Sequence, residues 1–351
     1  MPTALHAFFD EQVQFRLLDG TEVEGGILIG NTEFLPLEVL RDDADAYHEE
    51  FQLWLGEVWR PTQQQRRDEI LALHANKKRY ADLSQAVARQ QVVPFVGSGM
   101  SVASGLPTWS DFLRGVRAYT PCAPADLEGL LEAHLFEEAA DLLAACANPR
   151  LLTERVEHDL RVDGPIGGAA RLLPALFPSL VITTNLDDVL EQVYVACGRA
   201  FEHVLVADGL AQYRSLKSPT LRFLLKLHGD ASGAAGRVLL SREYDQKYAP
   251  ESTLRDELTL LYRHYHLLFL GCSLGADRTV GLIEAVAKSD VHMPRHYCIL
   301  PLPDADTVRI RRENFLSQRG ICPIWYDSPH DESLTALLDG LIPTGAGQIP
   351  R

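Results

Sequence analysis

The sequence lacks an excess of basic residues, and its cysteines are not paired. Lysine and arginine number 33 against 48 aspartates and glutamates, which gives a net charge of −15. A surface of this sign repels the phosphate backbone of nucleic acids, and no local basic patch offsets it, so we expect no direct nucleic-acid binding. The six cysteines are scattered without a C-x-x-C pair. This spacing argues against a disulfide framework and a zinc ribbon, and it suits a reducing cytoplasm.

Long apolar runs, a secretory signal and internal repeats are also missing. No run approaches the roughly 18 apolar residues that a membrane helix needs. The start of the chain, Met1-Pro2-Thr3, is not followed by the basic and apolar regions of a signal peptide. We therefore expect a cytoplasmic protein without a membrane segment. The 351 residues are 46% hydrophobic, which is enough for a buried core in about two or three domains.

One glycine-rich loop organises the sequence. Val92–Val96 is an apolar run of strand character, and the G-S-G-M-S loop of residues 97–101 follows it. Glycines allow the backbone to approach an anion, and free N–H groups can then point at that anion, so this pattern predicts a phosphate cradle. The usual dinucleotide pattern requires a third glycine where this chain has Val102. Taken alone, the loop is equally well explained as a tight turn between a strand and a helix.

Three later segments place polar residues directly after apolar, strand-like runs. Past Pro165, strand and helix patterns also alternate, which predicts a mostly parallel sheet covered by helices on both faces. Ligands bind at the carboxyl ends of such strands, which is where the polar residues fall. The three segments are Thr183-Thr184-Asn185-Leu186-Asp187, Leu227-His228-Gly229-Asp230 and Gly271-Cys272-Ser273-Leu274.

In this order the four segments resemble the sirtuin-like NAD-binding family, whose patterns are a glycine–x–glycine–x–serine loop, T-x-N-x-D, L-H-G and G-x-S. The resemblance covers about residues 76–342, and four patterns in register are far more specific than any one of them. Ser98 and Trp109 depart from the alanine and phenylalanine that sirtuins usually carry. The resemblance implies an α/β fold with a doubly wound, mostly parallel, Rossmann-like sheet, and it implies NAD as the substrate.

A helical stretch interrupts the strand pattern. Apolar residues recur at helical spacing from Ala123 to about Leu160, which fits the helical insertion of the family, at about residues 120–165 here. In deacylating sirtuins this insertion carries a four-cysteine zinc site, and the cysteine pairs for that site are missing in this chain. We therefore expect no zinc and no other metal, and we expect water, rather than an acyl-lysine peptide, to react with NAD.

The residues that the resemblance assigns to the site suit cleavage of the nicotinamide–ribose bond. Its transition state resembles an oxocarbenium ion, so a catalyst must hold the ribose and position a water molecule. By resemblance, Asn185 and His228 form the catalytic pair, and Asp187 is predicted to orient Asn185 or to stabilise the developing positive charge. Trp109 belongs either to the site or to the core. The predicted ligand-binding residues are Gly97, Ser98, Gly99 and Ser101 at the pyrophosphate, Gly271, Ser273 and Leu274 in the segment near the adenosine ribose, Thr184 in the cleft, and Pro107 and Trp109 at the nicotinamide end.

The resemblance therefore implies an NAD+ hydrolase that releases nicotinamide and ADP-ribose, of the kind that serves as an effector in bacterial anti-phage defence. An ungated hydrolase would kill its host, so we expect homo-oligomerisation or a partner to control the activity. In related systems the partner is a HerA-like ATPase, a short Argonaute or a phage protein. Two alternatives stay open at this point, namely a module that binds NAD or ADP-ribose without cleaving it and a zinc-free protein deacylase.

The first 60 residues differ in character from the rest of the chain. They are predicted to form a small antiparallel β-rich module, with a hairpin around Asp19-Gly20, strands near 26–30 and 34–37, and a helix over Ala44–Val58. Residues 61–75 are predicted to be a polar, proline-broken connector, and residues 76–351 form the predicted catalytic domain.

A remote alternative uses the third polar segment differently. Residues 271–275 spell G-x-S-x-G after a strand, which is the pattern of a serine hydrolase nucleophile elbow. Ser273 would then be the nucleophile, with His330 and either Asp304 or Asp327 completing a triad in the right chain order. This assignment leaves the glycine loop, Asn185 and His228 unexplained.

Overall fold

The strands of the protein follow the apolar runs of the sequence. A computed structural model describes residues 4–14, 27–29, 32–147, 149–216, 218, 220–233, 236–275, 278–289, 293–327 and 329–343. The strands in these ranges are β1 (Ile27–Ile29), β2 (Thr32–Phe34), β3 (Val92–Val96), β4 (Leu180–Thr183), β5 (His203–Val206), β6 (Phe223–Lys226), β7 (His266–Leu270), β8 (His296–Pro301) and β9 (Ile321–Tyr326).

The helices alternate with the strands of the second half and dominate the first. A six-residue π-helical segment, Trp54–Trp59, joins α3 to α4. The α-helices of the described residues are α1 (Ala4–Gln14), α2 (Pro36–Arg41), α3 (Ala44–Leu53), α4 (Arg60–Leu71), α5 (Asn76–Ala88), α6 (Trp109–Arg117), α7 (Pro124–Glu132), α8 (Phe136–Cys146), α9 (Pro149–Asp159), α10 (Leu173–Leu176), α11 (Val189–Ala196), α12 (Tyr213–Leu216), α13 (Ser241–Lys247), α14 (Thr253–His264), α15 (Arg278–Ser289), α16 (Asp306–Ser317) and α17 (His330–Asp339).

Seven strands form one parallel sheet in the order β5-β6-β4-β3-β7-β8-β9. Every residue of β3, β4 and β6 is buried, as expected for a parallel sheet with helices on both faces. Successive residues point to opposite faces: Val92 and Val96 belong to one apolar core, and Val93 and Phe95 belong to the other. The predicted doubly wound, Rossmann-like α/β fold is confirmed.

The order of the strands reverses at β3. On one side of β3 lie β4, β6 and β5, and after β6 the chain returns to place β7 on the other side of β3. β3 pairs with β7 along its whole length, from Val92 opposite His266 to Val96 opposite Leu270. The loops that leave β3 and β7 therefore diverge at a topological switch point, where α/β sheets bind ligands.

The helical insertion has its own apolar core. Helices α7, α8 and α9 pack with α6 around Leu127, Leu143 and Val156, which are almost completely buried. Leu186, from the loop after β4, also lies in this core. The insertion is therefore packed directly against one of the loops at the carboxyl edge of the sheet.

The N-terminal prediction of a β-rich module is wrong for most of the residues described. Val13 and Gln14, where the sequence pattern predicts the first strand of the hairpin, end helix α1. The predicted turn at Asp19-Gly20 lies outside the described residues. An antiparallel pair is present, but it is short, because β1 and β2 pair over three residues each. Pro36 then begins α2, a position where proline costs no hydrogen bond. The helix predicted over Ala44–Val58 is observed as α3 and the π-helical segment.

The segment predicted as a proline-broken connector is also a helix for most of its length. Pro61 lies in the first turn of α4, where its missing N–H is tolerated. The polar side chains satisfy one another along the helix, as in the 2.8 Å bond from Gln64 Nε2 to Asp68 Oδ1. The other face packs against α17, and Arg67 donates to the Ala336 carbonyl at 3.3 Å.

Candidate functional site

A cavity of about 610 Å³ opens at the carboxyl ends of β3, β4, β6 and β7. Its volume is in the range of sites for small molecules and cofactors. Ser101 alone among the residues predicted for the site does not line it, and this serine lies below the wall with 1% of its surface exposed. The predicted residues that line the cavity are Gly97, Ser98, Gly99, Pro107, Trp109, Thr184, Asn185, Asp187, His228, Gly271, Ser273 and Leu274.

The glycine loop and the turn after β7 are in direct backbone contact. A Cβ atom on Gly97 would lie 2.6 Å from the Gly271 carbonyl oxygen, and one on Gly271 would lie 2.5 Å from the Met100 nitrogen. Gly271 also has a φ of 65°, a conformation that glycine adopts without strain. Only glycines allow the two loops to approach this closely.

The N–H groups of Gly97 and Gly99 bond to the end of β7 and to the turn after it. Gly97 donates to the Leu270 carbonyl at 2.8 Å, and Gly99 donates to the Gly271 carbonyl at 3.0 Å. These two N–H groups are therefore already bonded, and the prediction that Gly97 and Gly99 lie at the pyrophosphate rests on the close approach of their backbone. Their backbone faces the cavity, but their donors hold the two loops together.

A chain of side chains runs beneath the loop after β4. The Asn185 amide donates from Nδ2 to Ser101 Oγ at 3.1 Å, and the Ser101 hydroxyl donates to Asp187 Oδ2 at 2.9 Å. Asp187 Oδ1 accepts the backbone N–H of Val189 at 3.1 Å, which starts α11. Burial raises the pKa of Asp187, although the Ser101 and Val189 bonds oppose this. Asp187 is therefore linked to Asn185 through the serine hydroxyl.

Lys226 at the end of β6 is a buried cation that the sequence analysis did not identify. Its side chain is 0% exposed, and its Nζ donates to the Asp187 carbonyl at 2.8 Å and to the Leu186 carbonyl at 3.2 Å. Two carboxylates neutralise it, Glu191 at 2.8 Å and Asp230 at 2.5 Å. Burial works to lower the pKa of Lys226, but the carboxylates outweigh burial and raise it. The lysine thus fixes the loop that carries Asn185 to the loop that carries His228.

His228 follows β6 and is buried between tyrosines. Its Nε2 lies 2.8 Å from the Tyr248 hydroxyl, and its Nδ1 lies 3.4 Å from the Tyr244 hydroxyl. Tyr244 meets the imidazole edge-on, with ring centroids 5.0 Å apart. Desolvation lowers the pKa of His228 to about 4, so the ring is neutral at pH 7 and one nitrogen carries a lone pair. Neither tyrosine was singled out from the sequence.

The opposite wall comes from the helical insertion, which the sequence analysis did not connect with the site. His134 and Glu137 line the cavity, as does Arg278 from the start of α15. Arg278 donates from Nε to Glu137 at 3.1 Å and from Nη1 to Asp245 at 2.6 Å. Burial raises the pKa of Glu137, although Arg278 opposes this. No local pattern marks these residues, because their contact depends on how the insertion packs.

Trp109 contacts both the cavity and the apolar core, the two locations that were considered for it. It lines the cavity, and its ring stacks on Phe112 with centroids 5.1 Å apart. Its backbone N–H donates to Ser98 Oγ at 3.2 Å, which ties the start of α6 to the glycine loop. Thr108 caps this helix by accepting the N–H of Asp111 at 3.2 Å.

The hydrolase triad is not assembled around Ser273. His330 Nε2 lies 3.3 Å from the Gly99 carbonyl oxygen, and His330 Nδ1 is hydrogen-bonded to the Tyr326 hydroxyl. The left-handed residues of the turn are Gly271 and Leu274, rather than the serine that a nucleophile elbow would strain. His330 therefore serves the glycine loop and not Ser273.

Three further features of the described chain concern metal sites, thiols and membrane segments. In these residues no group of three or more His, Cys, Asp or Glu side chains is arranged to hold a metal ion. The six cysteines have free thiols, and two of them, Cys122 and Cys298, are buried. No helix of the same residues is long and apolar enough to cross a bilayer.

Comparison with known proteins gives a family and two relatives. Residues 179–324 match the family model of the SIR2-like domain. Defense-associated sirtuin 2 of Bacillus subtilis is 23% identical over 242 residues, which are 66% of this chain and 23% of that protein. NAD(+) hydrolase ThsA of Enterococcus faecium is 24% identical over 243 residues, which are 66% of this chain and 46% of that protein. The chain spans less than half the length of these two relatives. The prediction of a sirtuin-like family is thus confirmed: the chain carries a SIR2-like domain.

Proposed function

We propose that this protein is an NAD+ hydrolase that cleaves the nicotinamide–ribose bond and releases nicotinamide and ADP-ribose. The observation that carries the proposal is that Asn185 and His228 line the same cavity as the glycine contact between residues 97–99 and Gly271. NAD as the substrate agrees with the SIR2-like domain and with the relative named as an NAD(+) hydrolase.

The proposed chemistry follows from the side chains on the wall. Asn185 is held by Ser101, so its amide presents a fixed donor and acceptor to a ribose hydroxyl or to water. His228 is neutral, because burial lowers its pKa to about 4, and it can therefore accept a hydrogen bond and then a proton. Bond cleavage makes the sugar cationic, which acidifies the attacking water and favours transfer of its proton to the imidazole.

The glycine contact is proposed to hold the diphosphate by close approach of the backbone. Because the N–H groups of Gly97 and Gly99 are already bonded, we assign the diphosphate contacts to the remaining donors of the loop, among them the Ser98 hydroxyl on the cavity wall. Pro107 and Trp109 are proposed to cover the nicotinamide end, since both line the cavity beside the glycine loop. Water is the proposed nucleophile.

The biological setting is proposed from the relatives. The name of the Bacillus subtilis relative indicates a defence role, and a hydrolase of NAD would then act as an effector after infection. Such an activity needs a gate, which we propose to be homo-oligomerisation or a partner such as a HerA-like ATPase or a short Argonaute. Helices α1 to α4 are the proposed contact surface, since α4 packs on α17, and α17 carries the His330 that touches the glycine loop.

Chromatography of NAD after incubation with the protein tests the proposal. The wild type should release nicotinamide and ADP-ribose, and Asn185→Ala and His228→Ala should each lose at least about 100-fold, the usual scale for a group that stabilises the transition state or transfers a proton. Asn314→Ala and His158→Ala are matched controls, because both side chains are exposed on helices, and they should retain full activity. Full turnover in both cavity variants would contradict the assignment. Calorimetric binding of NAD without release of nicotinamide, with and without a partner, would replace hydrolysis by a binding function.

A further inference from the structure

The two ring nitrogens of His228 face different surroundings. Nε2 is 2.8 Å from the Tyr248 hydroxyl, and that hydroxyl is 3.0 Å from Thr279 Oγ1. These two distances are those of normal hydrogen bonds. Nδ1 is 3.4 Å from the Tyr244 hydroxyl, which is beyond the normal hydrogen-bond range. One nitrogen is thus firmly bonded, and the other has a long contact that a ligand can replace.

Burial shows which nitrogen a ligand can reach. Tyr248 is 6% exposed and belongs to the apolar core on one face of the sheet. Tyr244 lines the cavity, as do His228 and Thr279, whereas Tyr248 is not part of the wall. Nε2 therefore points towards the interior of the protein, and Nδ1 lies beside the side chain that faces the cavity.

A neutral imidazole has one donor and one acceptor, and the hydrogen bond at one nitrogen selects the role of the other. In one of the two directions that these contacts allow, the Tyr248 hydroxyl accepts from Nε2–H and donates to Thr279 Oγ1. This arrangement leaves the lone pair of the ring on Nδ1, towards the cavity. His228 is neutral at pH 7, since desolvation lowers its pKa to about 4.

We infer that Tyr248 and Thr279 are positioning residues that keep the proton of His228 on Nε2, so that Nδ1 is the nitrogen that accepts the proton of the attacking water. The identity of the reaction rests on the proposed function. In the step, the O–H bond of water breaks and an N–H bond forms at Nδ1. The water oxygen bonds to the ribose carbon, and nicotinamide leaves with the electron pair of the broken C–N bond. The proton on His228 is then released to solvent.

Nitrogen NMR of protein with 15N-labelled histidine tests the inference without any substrate. The chain has 12 histidines, so a His228→Gln variant identifies the resonances of the ring. A protonated ring nitrogen resonates far from one that carries a lone pair. The wild type should show a proton on Nε2 and none on Nδ1. Tyr248→Phe and Thr279→Val keep the shape of the side chains but break the chain of hydroxyls, and both should give a mixture of the two tautomers.

Kinetics supply the second readout. Since Tyr248 does not line the cavity, Tyr248→Phe should lower kcat for NAD by about 10–100-fold, the range for an outer hydrogen-bond partner, with KM changed less than about two-fold. Tyr244→Phe should leave the tautomer unchanged. A proton on Nδ1 in the wild type, or an unchanged tautomer in both Tyr248→Phe and Thr279→Val, would overturn the inference. If the predicted tautomer is observed but the protein never cleaves NAD, the proposed function is contradicted. The positioning of the His228 proton by Tyr248 and Thr279 is then still supported.

Discussion

Replacing Lys226 by methionine should destabilise the protein far more than an ordinary lost ion pair. The ammonium group is fully buried and contacts two carbonyl oxygens and the carboxylates of Glu191 and Asp230. Methionine has a similar length but no charge, so the variant would leave two carboxylates close together without their counter-charge. Breaking a buried pair in this way costs about 3–5 kcal/mol of the free energy of unfolding. Lys288→Met is the matched control, because that side chain is 72% exposed beside Glu284 and should cost less than about 1 kcal/mol.

Urea unfolding followed by tryptophan fluorescence measures both variants. The pH dependence gives a second, independent check on the cause. Without Lys226 the pKa of Glu191, which burial already raises, should rise further, so the carboxylate takes up a proton as the pH falls. The difference in unfolding free energy between wild type and Lys226→Met should therefore shrink between about pH 7 and pH 5. A loss below about 1 kcal/mol at pH 7, or a difference that does not depend on pH, would refute the account of this cluster.

Two further predictions concern stability. Gly271→Ala should lower the free energy of unfolding by about 2–5 kcal/mol in the same assay. Alanine is strained at the left-handed φ of this position, and its Cβ would lie 2.5 Å from the Met100 nitrogen. A neutral effect would contradict the contact between the two loops. Acid should also destabilise the fold, because burial lowers the pKa of His228 to about 4 and of His296 to about 3, so only their unfolded forms take up protons below about pH 6.5. Together the two rings should lower the unfolding free energy by about 2.5 kcal/mol between pH 7 and pH 5.5. His296→Gln should remove about half of that loss, and a pH dependence unchanged from the wild type in this variant would contradict the burial of the ring.

The parallel sheet is predictable from the sequence because its strands are continuous apolar runs. The strand predicted at Val92–Val96 is observed as β3, and the strand-like runs before the three polar segments are observed as β4, β6 and β7. β5 was not predicted, because His203–Val206 is a short edge strand with only three consecutive apolar residues, of which Leu205 alone is buried. Helices α1, α2 and α4 of the N-terminal segment were not predicted. The helix predicted over Ala44–Val58 is observed, and Phe51, Trp54 and Leu55 are buried at helical spacing in it.

The site was predictable as a set of loops but not as a set of contacts. Parallel strands bring their carboxyl ends to one edge, so Asn185 and His228 were expected to share a cavity, as observed. The use of the Gly97 and Gly99 donors depends on a neighbouring turn that is distant in sequence. The tyrosine contacts of His228 and the charge cluster at Lys226 depend in the same way on tertiary packing, which no local pattern records.

A crystal structure with ADP-ribose bound tests the central claim most directly. The account predicts that the diphosphate lies against the contact between residues 97–99 and Gly271, and that the ribose that had carried nicotinamide lies between the Asn185 amide and His228 Nδ1. It also predicts that the long contact between Nδ1 and the Tyr244 hydroxyl opens to admit an oxygen atom. ADP-ribose bound outside this cavity, or bound within it with its ribose out of reach of both side chains, would contradict the account.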